Sequence, residues 1–585
     1  MNRIFVNEHG VTPGTDVTAA LYDLFQSYPT DTQFVFTPGD YLFSPHPQFA
    51  FDYRISNSDV LPQRKLGIWL RNMKNIRIDF AGARLWFSGQ MQPITIDHCE
   101  DIVLENAVID WKKPLVAEGI VTAVGEKYLD LYVDPQRFPH RLQDGWLWFD
   151  VGNDEWYPLH KWSHIQFDQA SRTVRRQSGD RFVPTGITHL RDSVYRFAAE
   201  DVENTAVGNI FALRHNARTH AGAFCEKSER VTLSDITFHS CGGLGCLAQF
   251  SKDLTFRRVH FLPNTQAGRN IVNGRDDGMH ITCCSGLVTI TECAFAGLMD
   301  DPVNVHGCCV PAVQVVDGRT LRCRYAHPQA RGFFYWAEAG DTINFIERRH
   351  MTSLGTATAA SYCLEDLDTF TITFDAPLPD SLLQQMGDPQ AVALDNLTHT
   401  AAFTCTKNRF GSGRARGILV STPKPVRIEE NYFASSGSAI LLAGDSNYWF
   451  ESGECHDVEI RNNVFTDVCL TSPYGFTKGV ISICPVVSEP VTSLPYHKNV
   501  RITGNVFDTA DTPVLYAFSC EGLTFAHNRI FRSPAAERWM DISALIRLEH
   551  CRLAAIADNS WVGIFGIQGL ETAACEEVHQ TDFPL

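Results

Sequence analysis

A six-residue template recurs ten times along the chain and constrains its fold more than any other feature. The template consists of an apolar residue, two variable residues, a small residue or Asn, one variable residue and a second apolar residue. Its copies lie at 78–83, 104–109, 233–238, 256–261, 290–295, 428–433, 460–465, 502–507, 525–530 and 556–561. Repetition of one such unit is the sequence signature of a solenoid, in which each coil packs on the next.

The spacing of the copies indicates the kind of solenoid. Two intervals, 233 to 256 and 502 to 525, are both 23 residues. A coil of that length holds three short strands, and successive coils pair through a parallel ladder about 4.8 Å apart. Stacked amides at the fourth template position would satisfy buried polar groups from coil to coil, and this position holds Asn431, Asn463, Asn505, Asn528 and Asn559. The sequence therefore predicts an all-β protein, a right-handed parallel β-helix.

Two intervals, 104 to 233 and 290 to 428, are too long for loops between coils. Segments within them alternate apolar and polar residues around turns, as antiparallel hairpins do. We therefore predict two inserted small antiparallel β-barrel-like domains. The expected order is an N-terminal cap with the first coils at 1–111, an inserted β domain at 112–200, coils with the candidate catalytic residues at 201–307, a second inserted β domain at 308–403, and the C-terminal coils and tail at 404–585.

Composition and charge limit the classes of partner that we expect the chain to bind. With 50 basic and 67 acidic residues, the formal net charge is −17, so the surface repels phosphate backbones and we expect no nucleic-acid partner. No segment resembles a membrane span or a signal peptide. We therefore expect no membrane partner and a cytoplasmic protein, or a secreted or periplasmic one if a leader has been removed. The 18 cysteines form no pair of C-x-x-C motifs, so we expect no zinc site. We also expect no cofactor.

The densest group of polar residues occupies two segments about one coil apart, at 273–280 and 299–307. From Asp277 the intervals to Asp300 and Asp301 are 23 and 24 residues, and the sequence does not decide between these registers. Either register brings carboxylates of neighbouring coils together, which raises the pKa of at least one of them. A protonated carboxyl beside an ionised one is what hydrolysis of a glycosidic bond requires.

Further candidates lie at 414–417 and in a loop at 440–453. Trp449 could stack on the apolar face of a galactose-type ring while Asn447 and Glu451 bind hydroxyls, or the aromatic residues at 448–450 could plug the edge of the helix. Arg416 could bind hydroxyls or pair with the surplus acids. The predicted substrate contacts are Asp276, His280, Asn304, His306, Arg416, Asn447, Trp449 and Glu451.

Eight blocks resemble glycoside hydrolase family 110, the bacterial exo-acting α-1,3-galactosidases that remove terminal galactose from blood-group-B-type glycans. They occur in the same order and span most of the chain. The blocks are DWKKP at 110–114, VGNIFALR at 207–214, GGLGCLAQ at 242–249, DGMH at 277–280, MDDPVNVHG at 299–307, GDTINF at 340–345, RGILVST at 416–422 and GDSNYWFESG at 444–453. The segments at 299–302 and 447–453 are the most specific.

The resemblance implies a β-helix with barrel inserts, no metal, and hydrolysis with inversion at the anomeric carbon. By that analogy Asp300 and Asp301 form the acid–base pair, and Asp277 completes the carboxylate cluster. Adjacent strand residues face opposite ways, so Asp300 and Asp301 can share a site only if the chain bends, for example at Pro302; otherwise Asp277 is the better partner for one of them. The expected substrate is an α-galactosyl glycan, either a branched B-type glycan or linear Galα1-3Gal.

Other points stay open at this stage. The sequence does not decide which aspartate is the acid, and it leaves the oligomeric state open, with a homodimer as one possibility. A polysaccharide lyase of the same fold is an alternative, although an acid-rich cleft disfavours an anionic substrate. A glycan-binding solenoid without turnover is the other alternative.

Overall fold

The computed structural model of the chain describes residues 1–162, 164–215, 217–272, 274, 276–331, 333–542, 544–563 and 568–581. They wind into the predicted parallel β-helix with two β inserts. One sheet of 22 strands follows the template copies from end to end. Its strands are Asn2–Phe5, Thr30–Val35, Asp40–Phe43, Lys74–Phe87, Glu100–Trp111, Glu229–Phe238, Lys252–Phe261, Ser285–Thr291, Ala294–Phe295, Ala401–Thr406, Arg409–Phe410, Val426–Glu429, Tyr432–Phe433, Val458–Arg461, Val464–Phe465, His497–Thr503, Val506–Thr509, Cys520–Ala526, Arg529–Arg532, Arg552–Ala557, Ser560–Val562 and Glu576–Gln580.

A second sheet of 14 strands forms another face of the coils and carries the candidate site. Its strands are Ala50–Phe51, Arg64–Arg71, Gln92–Asp97, Ala223–Glu226, Cys246–Gln249, Met279–Thr282, Val303–Cys308, Ile418–Val420, Ile440–Leu442, Glu451–Ser452, Ile481–Ile483, Leu515–Phe518, Ala544–Glu549 and Gln568–Ala573. Side chains from both sheets meet in one apolar core that runs along the axis of the helix.

The two inserts are antiparallel. The first has a six-stranded sheet, Val116–Gly125, Tyr128–Val133, Gln166–Phe167, Pro184–Arg191, Val194–Ala199 and Ile210–Arg214, and a three-stranded one, His140–Gln143, Trp146–Gly152 and Glu155–Pro158. The second is a closed barrel made of Val310–Asp317, Thr320–Arg324, Thr342–Glu347, Thr352–Leu364, Thr369–Phe374 and Val392–Asn396. Each insert has its own apolar core.

Helices are few and short. The α-helices are Thr18–Ser27 and Asp380–Gln385, and the 3-10 helices are Val6–His9, Pro47–Phe49, Thr265–Ala267 and Pro328–Ala330. The helix Thr18–Ser27 covers the first coil through Leu21 and Phe25, which are fully buried. Within the described part of the chain, no helix combines the length and the apolarity that crossing a membrane requires.

Parallel pairing sets the register between coils. Leu233 pairs with Phe256 and Ile502 with Phe525, as the 23-residue intervals predict. The coils on either side of each insert pair in the same way, Leu104 with Leu233 and Ile290 with Cys405. Equivalent template positions therefore stack along the axis, and the inserts leave the register of the β-helix unchanged.

Stacked aromatic rings fill the core at the sixth template position. Successive ring centroids are 4.6–5.8 Å apart in a column made of Phe238, Phe261, Phe295, Phe410, Phe433, Phe465 and Phe507. A Phe ring buries a large apolar area, and such stacking adds about 0.5–1.5 kcal/mol for each pair. The column therefore stabilises each coil against the next.

The fourth template position forms the predicted asparagine ladder. Asn463 Oδ1 accepts hydrogen bonds from the backbone N–H (2.9 Å) and the Nδ2 (3.0 Å) of Asn431. Asn463 Nδ2 donates to the Ile428 carbonyl at 2.9 Å and to Asn505 Oδ1 at 3.0 Å. The ladder begins one coil earlier than predicted, at Asn408, because this copy starts with Cys405 and was not recognised.

We predict that Asn463→Ala lowers the free energy of unfolding by about 2–4 kcal/mol, because it leaves buried donors and acceptors of two coils unpaired. The neighbouring Val464→Ala is the control, since Val464 is 36% exposed whereas Asn463 is 1% exposed. Urea denaturation of both variants measures the difference. Equal shifts of the two midpoints would show that the ladder does not stabilise the fold.

Candidate active site

The carboxylate segments lie one coil apart in the 24-residue register. Met279 pairs with Val303, and His280 pairs with Asn304. Asp300 and Asp301 precede the strand Val303–Cys308, in a turn that ends at Pro302. The chain therefore bends where the sequence required it. One open cavity is lined by Asn57, Arg218, Asp277, His280, Asp300, Asp301, Asn304, Arg416, Leu419, Trp449, Glu451, Tyr474 and Phe476.

Asp301 is clamped by Arg416. Its Oδ1 accepts from the backbone N–H (2.9 Å) and the Nε (2.8 Å) of Arg416, and its Oδ2 accepts from Nη2 at 2.6 Å. Burial raises the pKa of Asp301, and the Arg416 cation opposes that shift. Because both oxygens accept from the same guanidinium, the geometry is that of an ionised carboxylate in a two-point pair.

Asp300 has looser contacts and the opposite shift. Arg414 Nη1 lies 3.3 Å from its Oδ2, and the Tyr474 hydroxyl donates to Oδ1 at 3.5 Å. Arg414 is in turn paired with Asp180, which the first insert brings to the site. Burial acts to raise the pKa of Asp300, but nearby arginines, of which Arg414 is the strongest, outweigh it and lower this pKa below its ordinary value.

Asp277 contacts a histidine and, at longer range, a cation. Its Oδ2 is hydrogen-bonded to His280 Nδ1 at 2.7 Å, and Arg218 Nη2 is 3.8 Å from Oδ1. Burial, and next the charge of Asp300, raises the pKa of Asp277 well above its usual range. Burial also lowers the pKa of His280 well below its usual range, so His280 is neutral. The cavity thus has one carboxyl that keeps its proton beside one that loses it.

Two histidines and Glu451 converge behind Asp277. His306 Nε2 is 2.9 Å from His280 Nε2 and 3.6 Å from Glu451 Oε1. Glu451 accepts from the amides of Asn57 at 3.1 Å and Asn304 at 3.3 Å. The ligand atoms of His280, His306 and Glu451 lie within 4.8 Å of one another, a spacing that a divalent cation would accept.

The aromatic loop combines both of its predicted roles. Trp449 lines the cavity and packs on His327 of the second insert, with ring centroids 4.5 Å apart. Phe450 is buried against Cys309 and Ala393 instead. The loop therefore presents Trp449 to the cavity and uses Phe450 to fill the edge of the helix.

Eight predicted residues line the cavity, and three do not. Asp276 lies 3.6 Å from Arg218 Nε, outside the lining. His306 lies behind His280. The prediction that Asn447 binds hydroxyls needs correction, because its Nδ2 donates to the carbonyls of Arg348 (3.1 Å) and Val486 (3.3 Å) and fixes the loop.

Sequence reasoning missed the residues that irregular segments bring to the site. Asn57, Arg218, Leu419, Tyr474 and Phe476 complete the lining. Most come from turns with no repeat and no recognisable motif. The sequence pointed to Arg218 only indirectly, because three buried carboxylates need more positive charge than Arg416 supplies.

Comparisons with known proteins agree on one family. Models named GLAA-B beta-barrel domain I and GLAA-B beta-barrel domain II match residues 117–211 and 320–388, within the two inserts. Alpha-1,3-galactosidase B of Bacteroides thetaiotaomicron is 36% identical over 572 residues, which cover 96% of this chain and 91% of that protein. Alpha-1,3-galactosidase A of Bacteroides fragilis is 30% identical, with coverage of 91% of this chain and 87% of that protein.

Solved structures with a similar fold are more distant. The A-module of mannuronan C-5 epimerase AlgE4 from Azotobacter vinelandii has a TM-score of 0.42 at 8% identity, covering 99% of this chain and 100% of the module. A family 28 exopolygalacturonase of Yersinia enterocolitica has a TM-score of 0.41 at 11% identity, covering 99% of this chain and 78% of the other. With TM-scores below 0.5, neither bears on the activity of this chain.

We predict that Asp301→Asn lowers the free energy of unfolding by about 3 kcal/mol, because it leaves the Arg416 cation buried without its partner. Asp40→Asn, which breaks the exposed pair with Arg84, is the control and should cost less than about 1 kcal/mol. Denaturant titration of both variants measures the two losses. A small loss for Asp301→Asn would mean that other carboxylates take over the pairing.

Proposed function

This chain belongs to glycoside hydrolase family 110, and on that premise we propose that it hydrolyses terminal α-1,3-linked galactose from glycans with inversion. The observation that carries the proposal is that neighbouring coils bring Asp277 and Asp300 into one cavity, where their surroundings shift the pKa upward at Asp277 and downward at Asp300. Inverting and retaining hydrolases alike need one protonated carboxyl and one carboxylate at the same pH, and the inversion in this proposal is taken from the family resemblance. The names of the relatives supply the galactose and the linkage.

We assign the acid to Asp277 and the base to Asp300. The proton of Asp277 passes to the glycosidic oxygen as the bond to the anomeric carbon breaks. A water molecule attacks the opposite face of that carbon and gives its proton to Asp300. A single displacement of this kind inverts the configuration and operates with carboxyl groups about 6.5–9.5 Å apart.

Asp301 has a different role in this scheme from the one that the family analogy implies. Its Oδ1 accepts two hydrogen bonds from Arg416 and its Oδ2 accepts a third, so Asp301 has fewer free lone pairs than Asp300 with which to take a proton from water. The contacts of Asp300 with Arg414 and Tyr474 are longer, at 3.3 and 3.5 Å. We therefore propose that Asp301 holds Arg416 in place at the cavity wall and that Asp300 performs the proton transfer.

The other residues that line the cavity are suited to binding a sugar. Trp449 offers an aromatic face for the apolar side of a galactose ring, and Phe476 extends that surface. Glu451 and Asn304 offer polar atoms that can bind hydroxyls. A neutral galactoside also agrees with the balance of charge in the cavity, where the carboxylates of Asp300 and Asp301 already have arginine partners.

Galα1-3Gal should release free galactose, and NMR spectra recorded early in the reaction should show the β anomer first. Asp277→Asn and Asp300→Asn should each lower kcat about 100- to 10 000-fold, since each removes a proton-transfer group. Asp508→Asn, at an exposed position on the strand Val506–Thr509, is the matched control. Full activity in both site variants, or retention of configuration, contradicts the mechanism. An unsaturated product identifies a lyase, and binding without product identifies a glycan-binding protein.

The pH dependence of kcat/KM should be bell-shaped. Protonation of Asp300 ends activity at low pH, below the ordinary range for an aspartate, and loss of the Asp277 proton ends it at high pH. Arg414→Met removes a cation that lowers the pKa of Asp300, so the acidic limb should move to higher pH. Arg409→Met is the control, because Arg409 is exposed and stacks on Tyr432. An unmoved acidic limb in Arg414→Met would exclude Asp300 as the base.

A further inference from the structure

Two exposed aromatic side chains continue the wall of the cavity towards solvent. Phe476 lines the cavity and is 38% exposed, and Tyr448 beside it is 60% exposed. The ring centroid of Tyr448 is 6.3 Å from that of Phe476 and 5.6 Å from that of Trp449. We propose that Tyr448 and Phe476 form a subsite for the sugar from which the galactose is released. The inference rests on the proposed function and adds a second binding position to it.

The exposure of the lining residues shows which end of the cavity opens to solvent. Asp277 is 4% exposed, so the carboxyls lie at the closed end. Among the lining residues, all of which belong to the described part of the chain, only Phe476 is exposed. A terminal galactose bound at the carboxyls leaves the next sugar of the glycan at the end where Phe476 and Tyr448 lie.

The loop that carries Tyr448 is fixed, although the ring itself faces solvent. Asp445 Oδ1 accepts hydrogen bonds from the backbone N–H groups of Asn447 at 2.6 Å and of Tyr448 at 2.8 Å. Asp445 Oδ2 accepts from the N–H of Trp449, and the side chain of Phe450 is buried. Because its backbone is already ordered, Tyr448 loses little conformational freedom when a ligand stacks on its ring.

Phe476 has a backbone conformation that bulky residues seldom adopt. It is the third residue of a turn that the Thr477 N–H closes on the Tyr474 carbonyl at 3.2 Å, and its φ is 64°. This region favours Gly or Asn, so a Phe there costs free energy. Phe450 has a φ of 62° but is 7% exposed, so burial offsets the cost there more than it does for Phe476. Contact with a ligand accounts for a bulky side chain at position 476.

The segment that leads to this turn is attached to the first insert. The Gln177 N–H donates to the Thr471 carbonyl at 2.6 Å, and the Ser472 hydroxyl donates to the Ser178 carbonyl at 2.9 Å. Phe476 and Tyr448 therefore come from two separately anchored segments that meet in one aromatic surface.

The chemistry of this surface matches a neutral sugar ring. One face of a galactose-type ring carries C–H groups, and aromatic rings stack on such a face. Tyr448 and Phe476 add no charge, so they favour a neutral second sugar over an anionic one. A leaving group without a ring offers no face for stacking, and this difference is the basis of the test.

Two substrates separate the subsite from the rest of the cavity. Galα1-3Gal has a second sugar ring and methyl α-galactoside has none, but the leaving oxygen of both needs a proton. The quantity measured is the ratio of kcat/KM on the disaccharide to kcat/KM on the methyl galactoside. Tyr448→Ala should lower this ratio about 5- to 10-fold, because it removes a stacking ring. Tyr448→Phe keeps the ring and should stay within about twofold of the wild type.

Phe5→Ala is the control, because Phe5 is 39% exposed and lies on the strand Asn2–Phe5 at the start of the β-helix. Its ratio should equal that of the wild type. Equal losses on the two substrates in Tyr448→Ala would show that Tyr448 only supports the fold of the cavity. An unchanged ratio in Tyr448→Ala would show that this ring does not contact the second sugar. Either result overturns the proposal.

Binding to the Asp300→Asn variant tests the subsite without turnover. Calorimetry gives the Kd of this variant for Galα1-3Gal and for methyl α-galactoside. The disaccharide should bind more tightly, and adding Tyr448→Ala should reduce that preference about fivefold. Equal Kd values for the two ligands, or a preference that survives Tyr448→Ala, overturn the subsite. Wild-type protein that hydrolyses neither substrate contradicts the proposed function instead, and the binding measurement still decides on the subsite.

Discussion

Parallel backbone pairing between coils is the constraint on which the rest of the molecule depends. It places equivalent residues of successive coils about 4.8 Å apart, whatever their side chains are. Phenylalanine rings and asparagine amides gain from this enforced stacking. Carboxylates do not, because Asp277 repels the pair at Asp300 and Asp301, and burial weakens the solvation of these groups. The site exists because pairing along the whole solenoid outweighs that local repulsion.

Nearby arginines contribute to the difference in pKa between the three carboxyls. Asp301 has a two-point partner in Arg416, Asp300 contacts Arg414 at 3.3 Å, and Asp277 lies 3.8 Å from Arg218. The charges of several arginines, Arg414 first, outweigh burial and lower the pKa of Asp300, whereas burial raises the pKa of Asp277 and that of Asp301. Three identical side chains thus acquire different surroundings and different pKa shifts from their neighbours alone.

Periodic features were predictable from the sequence, and irregular ones were not. The β-helix with its inserts, the asparagine ladder and the family followed from repeated templates and block resemblance. The register between Asp277 and Asp301 was left open because 23 and 24 residues both fit a coil, and the pairing of Met279 with Val303 settles it. Arg218, Tyr474 and Asp180 come from turns and from an insert, where contacts depend on tertiary geometry that no local pattern encodes.

The inserts and the β-helix have separate roles in the molecule. Each leaves and re-enters the solenoid without disturbing the pairing of the flanking coils, Leu104 with Leu233 and Ile290 with Cys405. Yet each reaches back to the candidate site, through Asp180 against Arg414 and through His327 against Trp449. Loop sequences in these inserts can therefore diversify, in nature or in a directed library, and remodel what surrounds the cavity. The carboxyls underneath stay anchored to a scaffold that such variation does not touch.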